Sequence, residues 1–429
     1  MAPALRRTIA SLAATAAALP AVTVGVTNAP LSSTAPIYAV AHADPAPRTT
    51  APDTSQCPQA TYPPEAETTS EALTPGQVAP TPPPTVVNEY GSCDITAPAD
   101  YVVPANTAAA WMVFDIDTGD VISTKDPHGR YRPASVIKVL LAMVALNELT
   151  LSDTYVATAE DQNQEGSAVG IREGLTYTNE QLLYGLLLNS GNDAAHALAT
   201  ELGGDEVALE KVRALAHSLG AVDTFVASYS GLDAPGMMTS ARDLAVFYSA
   251  AWENETFARM LATEKVTFPG PSQEETYEVW NDNGLFMNDP DGIGGKTGYT
   301  DDAHHTFVGA KDIGGRRLAA VILDTTIDDG RAWKQAQALI EAAYASQGAI
   351  GNLRGRDVSA HPGEATSGND ATELPTAMNV ADERAEDGGG KNLSAGVFLL
   401  AAIVGIVGVV LLAGGARQSR KHHGKHQKS

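Results

Sequence analysis

Cysteine is scarce: Cys57 and Cys93 are the only two in 429 residues, and neither stands with histidines at metal-ligand spacing. No thiolate-built metal centre is therefore expected, and the sequence nominates no metal site. Positive charge is scarce too, with 28 Lys and Arg against 51 Asp and Glu and a formal net charge of −23. Binding nucleic acid by neutralising phosphates needs the opposite balance, so no such partner is expected. There is no Gly-x-Ser-x-Gly turn, and no histidine lies beside a candidate serine, which argues against a histidine-dependent hydrolase. Gly295-Lys296-Thr297 lacks the glycine that a phosphate loop carries five residues earlier; Pro290 stands there.

Long apolar runs are confined to the two ends. Arg6 and Arg7 precede a run from Ile9 to about Val26, and Ala41-His42-Ala43 offers small residues for cleavage, with Ala29 an earlier alternative. Residues 1–43 read as a secretory signal peptide. Residues 393–415 are long and apolar enough to cross a bilayer, and Arg417, Arg420, Lys421, Lys425 and Lys428 follow. Basic flanks stay inside, so the expectation is a single-pass cell-membrane protein with its body outside and residues 416–429 as a cytoplasmic tail.

Between these ends, 44–104 is rich in Pro, Thr, Ala and Glu and reads as an extended extracytoplasmic linker. In an oxidising compartment its two cysteines pair with each other or with another chain; the first option closes a loop that restricts the unfolded chain by roughly 3–4 kcal/mol. Residues 349–392 turn to Gly, Asp, Glu and Ser and read as a disordered stalk. The globular part is 105–348. Strand patterns fall at 109–114, 121–123, 295–299, 306–311 and 316–324, and helical ones at 179–189, 193–202, 206–219, 241–253 and 331–345. Strands, then helices, then strands predict an α+β domain whose distant segments meet in one antiparallel sheet.

The centre of that domain is Arg132-Pro133-Ala134-Ser135-Val136-Ile137-Lys138 and the apolar run after it. Pro133 suits a first helical turn, and a helix apolar all round belongs in a core. Ser135 and Lys138 break that run three residues apart, on one face. The helix start favours negative charge at the hydroxyl, and apolar surroundings favour the neutral, basic amine. Together they read as an activated nucleophile; alone they also read as a cap and a solvent-reaching lysine. Two more polar clusters interrupt regular segments. Ser190-Gly191-Asn192 follows a very apolar helix, as a helix end or as a hydroxyl and amide beside the lysine. Lys296-Thr297-Gly298 ends a glycine-dense run, offering a cation and hydroxyl to an anion and a glycine for close backbone approach.

Ser-x-x-Lys, Ser-x-Asn and Lys-Thr-Gly in that order resemble the penicillin-binding protein and serine β-lactamase superfamily, and more narrowly its low-molecular-mass D-alanyl-D-alanine carboxypeptidases. The likeness extends to Asp117-Thr118-Gly119, Gly166-Ser167-Ala168-Val169-Gly170, Gly231-Leu232-Asp233 and Tyr299-Thr300, over roughly 105–348. It implies a β-lactamase/transpeptidase-like fold: a five-stranded antiparallel sheet packed with helices, an all-helical region, and the active site between them. It implies a serine peptidase of peptidoglycan biosynthesis and cell shape that acts on stem pentapeptides, binds β-lactams and needs no cofactor. By the resemblance Ser135 is the nucleophile, Lys138 the base, Ser190 a proton relay and Asn192 an orienting amide. Lys296 and Thr297 hold the substrate carboxylate, Gly298 lets the substrate approach, and the N–H groups of Ser135 and Tyr299 form the oxyanion hole. The chain departs from the family at Asp301-Asp302-Ala303-His304-His305, where a small-residue turn is usual; His304 and His305 would there meet substrate or solvent. Rival readings are a serine β-lactamase, though no Glu-x-x-Leu-Asn string occurs, a D,D-endopeptidase or transpeptidase, and a silent anchored wall-binding scaffold.

Overall fold

A computed structural model describes residues 47–354 apart from 87, 88 and 273. The expected signal peptide, the apolar run 393–415, the basic tail and nearly all of the stalk lie outside the described residues. Among the described residues no helix is long and apolar enough to cross a membrane.

The chain enters its sheet with β1 (Ala110–Asp115) and β2 (Asp120–Lys125), joined at Gly119, whose φ of +78° suits the turn. A 3-10 turn (Ala134–Ile137) leads into α1 (Lys138–Glu148). The helical region follows: β3 (Thr154–Val156), α2 (Ala159–Gln162), β4 (Thr176–Thr178), α3 (Asn179–Leu188), α4 (Asn192–Glu201), α5 (Asp205–Ser218), α6 (Ala241–Trp252) and α7 (Glu255–Leu261). A hairpin of β5 (Lys265–Pro269) and β6 (Thr276–Trp280) and the short α8 (Gly284–Asn288) bring the chain back to the sheet. It closes with β7 (Gly292–Thr300), β8 (His304–Ile313), β9 (Arg316–Thr325), α9 (Ala332–Ala345) and β10 (Gly351–Asn352).

The strands lie in the order β10-β2-β1-β9-β8-β7, each neighbouring pair antiparallel. The expected five-stranded sheet thus gains a sixth, two-residue strand beyond residue 348. Backbone pairing of Gly351 and Asn352 leaves no mark in composition, which is why the sequence reads them as stalk.

Alternation sorts the sheet residues onto two faces. Trp111, Val113, Ile122, Leu318, Ala320 and Ile322 pack against α9 through Ala336, Leu339 and Ile340. Met112, Phe114, Val121, Ala319, Val321 and Leu323 join the larger core with α1, α3, α4 and α6. Helix α1 is buried over most of its length, as its apolar residues predict: Val139, Leu140, Leu141, Ala142 and Ala145 are fully enclosed, and exposure begins at Asn147. Capping boxes at Thr158 and Thr178 start α2 and α3.

Residues 47–104 differ from the expected extended linker. Their described residues form no helix and no strand longer than a single bridge, yet they lie along the domain as a strap. Thr96 exchanges both backbone hydrogen bonds with Thr124, and Cys57 and Cys93 are joined as a disulfide. Buried arginines of the body supply further attachments. Arg130 donates to the carbonyls of Thr61 (3.0 Å) and Pro84 (2.9 Å). A proline-rich segment lacks N–H groups but keeps every C=O, and arginine is the donor-only partner that suits it.

Candidate active site

Ser135 sits on the 3-10 turn rather than inside α1, and Lys138 is the first residue of the helix proper. The preceding Ala134 has φ +48°, a left-handed conformation that costs a non-glycine residue on the order of 1 kcal/mol and persists only where neighbours impose it. They do so from two sides. Thr306 Oγ1 on β8 donates to the Pro133 carbonyl at 2.8 Å, and the Tyr248 hydroxyl on α6 donates to the Val136 carbonyl at 2.9 Å. Two glycines allow the close approach. A Cβ on Gly298 would meet Thr306 Oγ1 at 2.2 Å and the Ser135 nitrogen at 3.0 Å; one on Gly231 would meet the Ala134 carbonyl oxygen at 2.1 Å.

Lys138 is completely buried, and its Nζ lies 2.8 Å from Ser135 Oγ and 2.7 Å from Asn192 Oδ1. It also contacts the Ser230 carbonyl oxygen. Burial, with the nearby Lys296 charge adding to it, holds its pKa well below the ordinary lysine value. Asn192, at the start of α4, anchors its other end by donating from Nδ2 to the Glu165 carbonyl at 2.6 Å. Ser190 stands between α3 and α4 with φ +58° and is hydrogen-bonded by Lys296 Nζ. Lys296, from the middle of β7, also donates to the Thr297 carbonyl at 3.0 Å; burial lowers its pKa, and the Asp282 charge pulls the other way. Three clusters remote in sequence therefore converge: Ser135 and Lys138, Ser190 and Asn192, Lys296 and Thr297.

These groups open on a cleft of about 350 Å³ lined by Ser135, Gly166, Ser167, Asn192, Gly231, Leu232, Tyr299 and Thr300. A larger cavity of about 450 Å³ lies between Pro83 and Pro84 of the strap and α5, but it shares no residue with the site and is mostly apolar. Asp193, next to Asn192, fixes the segment that follows Ser167: its carboxylate accepts from the N–H groups of Val169 (2.9 Å), Gly170 (2.7 Å) and Ile171 (3.0 Å). Strap residues line no part of this cleft, but they tie down segments that carry its residues. Arg132, three residues before Ser135, makes a two-pronged pair with Glu71 (2.6 and 3.0 Å) and donates to the Pro64 carbonyl. Asp302, just past β7, accepts from Thr68 and Ser70.

The histidines are neither simply solvated nor lining the cleft. His304 Nδ1 pairs with Asp324 Oδ1 at 2.7 Å, and His305 lies against the Tyr299 ring, centroids 4.7 Å apart. Sequence reasoning missed the Ser230 carbonyl, Asp193, Arg132 and Asp282. Backbone carbonyls carry no signal, but Asn281-Asp282-Asn283 is a polar interruption between a strand and an apolar turn, and it could have been flagged.

A serine hydroxyl backed by a buried lysine, in a cleft between an antiparallel sheet and a helical region, belongs to the serine hydrolases that work without histidine. A model of the D-alanyl-D-alanine carboxypeptidase family, peptidase S11, matches residues 97–326, more than half of the chain. The chain is thus a member of that family of serine-type hydrolases. It is 41% identical to D-alanyl-D-alanine carboxypeptidase DacB2 of Mycobacterium tuberculosis over 62% of its own length and 92% of the relative's. Against DacD of Escherichia coli it is 31% identical over 53% of this chain and 61% of that one. A crystal structure of the D-alanyl-D-alanine carboxypeptidase from Mycobacterium tuberculosis H37Rv superposes with TM-score 0.56 and 42% identity, covering 59% of this chain and 97% of the other. The Streptomyces K15 DD-transpeptidase gives 0.54 and 27%, over 57% and 100%. These likenesses bear out the expected α+β fold and the family.

Proposed function

We propose that this chain removes the terminal D-alanine from peptidoglycan stem pentapeptides through an acyl-enzyme on Ser135. One observation carries the reading: the three directions around Lys138 Nζ are taken by Asn192 Oδ1, the Ser230 carbonyl and Ser135 Oγ. A neutral amine has two N–H bonds and one lone pair. The two pure acceptors take the N–H bonds, which leaves the lone pair facing the serine hydroxyl. Burial and Lys296 both favour the neutral amine, which makes Lys138 the general base in this reading.

Ser135 Oγ attacks the carbonyl between the two D-alanines and its proton passes to Lys138. The tetrahedral oxyanion accepts from the N–H groups of Ser135 and Tyr299, an arrangement that contributes about 10²–10³ in rate where it has been dissected. Ser190, already bonded to Lys296, gives its proton to the departing amine and is resupplied with the one that Lys138 took, so both side chains return to their starting states. Lys296 and Thr297 hold the substrate's terminal carboxylate, and water, giving its proton to Lys138 as it attacks, then releases the acyl group while Lys138 returns the proton to Ser135 Oγ. Every proton transfer here has a side chain assigned to it, so none calls for a cofactor. The strained cyclic amide of a β-lactam acylates the same hydroxyl. The apolar run 393–415 and the basic residues after it support the same enzyme anchored in the cell membrane with its cleft outside.

The test incubates the full-length chain with a diacyl-D-Ala-D-Ala peptide and follows free D-alanine by mass, alongside labelling by a fluorescent penicillin. Release of D-alanine, with labelling lost in Ser135→Ala, is the expected result. Fast penicillin turnover without D-alanine release points to a lactamase instead, and labelling that survives Ser135→Ala removes the assignment. As pH rises, kcat/KM climbs on its acidic limb as Lys138 loses its proton.

A further inference from the structure

Thr297 is expected to give its hydroxyl to the substrate's terminal carboxylate, yet that hydroxyl already donates to a carboxylate. Its Oγ1 lies 2.7 Å from Asp282 Oδ2. The backbone around Asp282 is fixed on both sides. Its own N–H donates to the Leu188 carbonyl at 3.0 Å, at the end of α3 and two residues before Ser190. Buried Asn281 donates to the Leu261 and Thr263 carbonyls at 3.0 Å each. Asn283 caps α8 by accepting from the N–H groups of Leu285 and Phe286 at 3.1 Å each. Asp282 is exposed between these two buried neighbours, and the bond from Thr297 is the one its carboxylate makes among the described residues.

Its charge reaches further than that bond. Asp282 is the one acid that favours the protonated form of Lys296, and it acts on Lys138 as well. Where the substrate carboxylate is to sit, the Lys296 ammonium is therefore already partly neutralised, and the neighbouring hydroxyl is occupied.

We infer that Asp282 is a resident competitor of the substrate's terminal carboxylate and a specificity-determining residue of this site. The incoming carboxylate must take the Thr297 hydroxyl from it and settle beside a like charge. Asp282 therefore lowers the enzyme's preference for a free C-terminal carboxylate over an uncharged terminus. The inference rests on Lys296 and Thr297 forming the carboxylate subsite, and it adds the residue that weakens that subsite.

The experiment uses the full-length chain with two peptides, diacyl-D-Ala-D-Ala and its C-terminal carboxamide, and reads the ratio of their kcat/KM values. Asp282→Asn keeps an acceptor for Thr297 and removes the charge; Asp282→Ala removes both. Each variant is expected to raise the acid-to-amide ratio, by about three- to tenfold for loss of one close like charge. The rise should sit in a lower KM for the acid, with the amide not sharing it. A ratio that is unchanged or lower in both variants overturns the inference while wild-type D-alanine release keeps the proposed function standing. No D-alanine release from the wild-type chain removes both together. Lys296→Met separates the subsite from its competitor: the acid preference should collapse there, and if it persists, the carboxylate is held elsewhere and Asp282 competes with nothing.

Discussion

The strap over residues 47–104 and the sheet-and-helix body it crosses are held by different forces. The body encloses Trp111, Phe114, Leu140 and Val321 completely, and such burial contributes roughly 1.5–3 kcal/mol for each large apolar side chain. The strap places Tyr90 and Tyr101 inward, but most of its described attachments are polar, with Arg130, Arg132, Asp302 and Asp324 of the body as partners. One region is stable through its own pattern; the other borrows its order from groups the body presents. The groups proposed for catalysis belong to the first region, but the segments beside them in sequence are tied to the second. Arg132 and Asp302 flank Ser135 and Tyr299 in sequence, and both are tied to strap residues 64–71. The family match begins at residue 97, so this tie lies mostly outside it.

The comparison is broken most severely by Lys138→Met, which acts in the body alone. It should lower penicillin acylation and D-alanine release by about 10²–10⁴, the usual contribution of a positioned base, with the strap undisturbed. Stopped acylation assays, with hydrogen exchange over 47–104 as the control, check it; a loosened strap would show that the two regions are not separable. Next is the paired change Cys57→Ser and Cys93→Ser. The loop spans 36 residues, which corresponds to about 3–4 kcal/mol in the loop-entropy estimate. Exchange protection should fall within 57–93 and persist in β1, β8 and β9. A uniform loss would mean one cooperative unit.

How much of this was legible follows the same division. The five long strands and the helices α3, α4, α5, α6 and α9 have apolar periods that the sequence displays, because each buries its own face. Ser135, Lys138, Asn192 and Lys296 stand out as polar residues in apolar or glycine-rich segments. The hairpins β3–β4 and β5–β6 escaped because their strands are only three and five residues long, with one buried residue at most in each. The strap escaped for a deeper reason. Its composition is that of a solvated linker, and what orders it is Arg130, Arg132 and Asp302, residues far along the chain whose burial no local pattern reveals. Asp282 is similar: its importance comes from facing Thr297, across a turn that sequence does not fold.

A smaller effect is expected where the strap is tied to the turn that leads to Ser135. Arg132→Met removes four donor contacts and leaves the Glu71 carboxylate and the Pro64 carbonyl without them. Glu71 is about a quarter exposed, so water recovers part of the loss, and the cost should be about 1–3 kcal/mol rather than that of a fully buried pair. Acylation by the fluorescent penicillin should slow about tenfold as the turn carrying Ser135 loosens. Unchanged acylation with reduced stability would make the strap a brace for the fold alone.

The smallest effect concerns pH at the strap's first residues. Arg48 pairs with Asp324 at 2.9 Å, and His304 pairs with the same carboxylate at 2.7 Å. Glu67 of the strap lies 3.5 Å from the other His304 nitrogen. The bond to Asp324 raises the His304 pKa against the effects of burial and Arg48; for Asp324 burial acts upward, but His304 and Arg48 together outweigh it and lower the pKa. A raised histidine stabilises the folded form fully below its ordinary 6.5, and that share is lost as pH rises through the raised value. A lowered aspartate contributes fully above its ordinary 3.8, and that share is lost as pH falls through the lowered value. The two overlap between those ordinary values, so the His304–Asp324 pair itself is strongest in mildly acidic solution; the Arg48 charge works against protonation of His304, so residues 47–50 should be held more tightly as pH rises past neutrality. Exchange rates of the Arg48 amide, which donates to Asp328 at 2.8 Å, followed across that range give the answer directly. With the intrinsic exchange rate at each pH divided out, His304→Gln should flatten the alkaline side of the profile while the acidic side remains, and a profile with no slope on the alkaline side in the unsubstituted chain would mean that the charge on His304 does not act on the Arg48 pair.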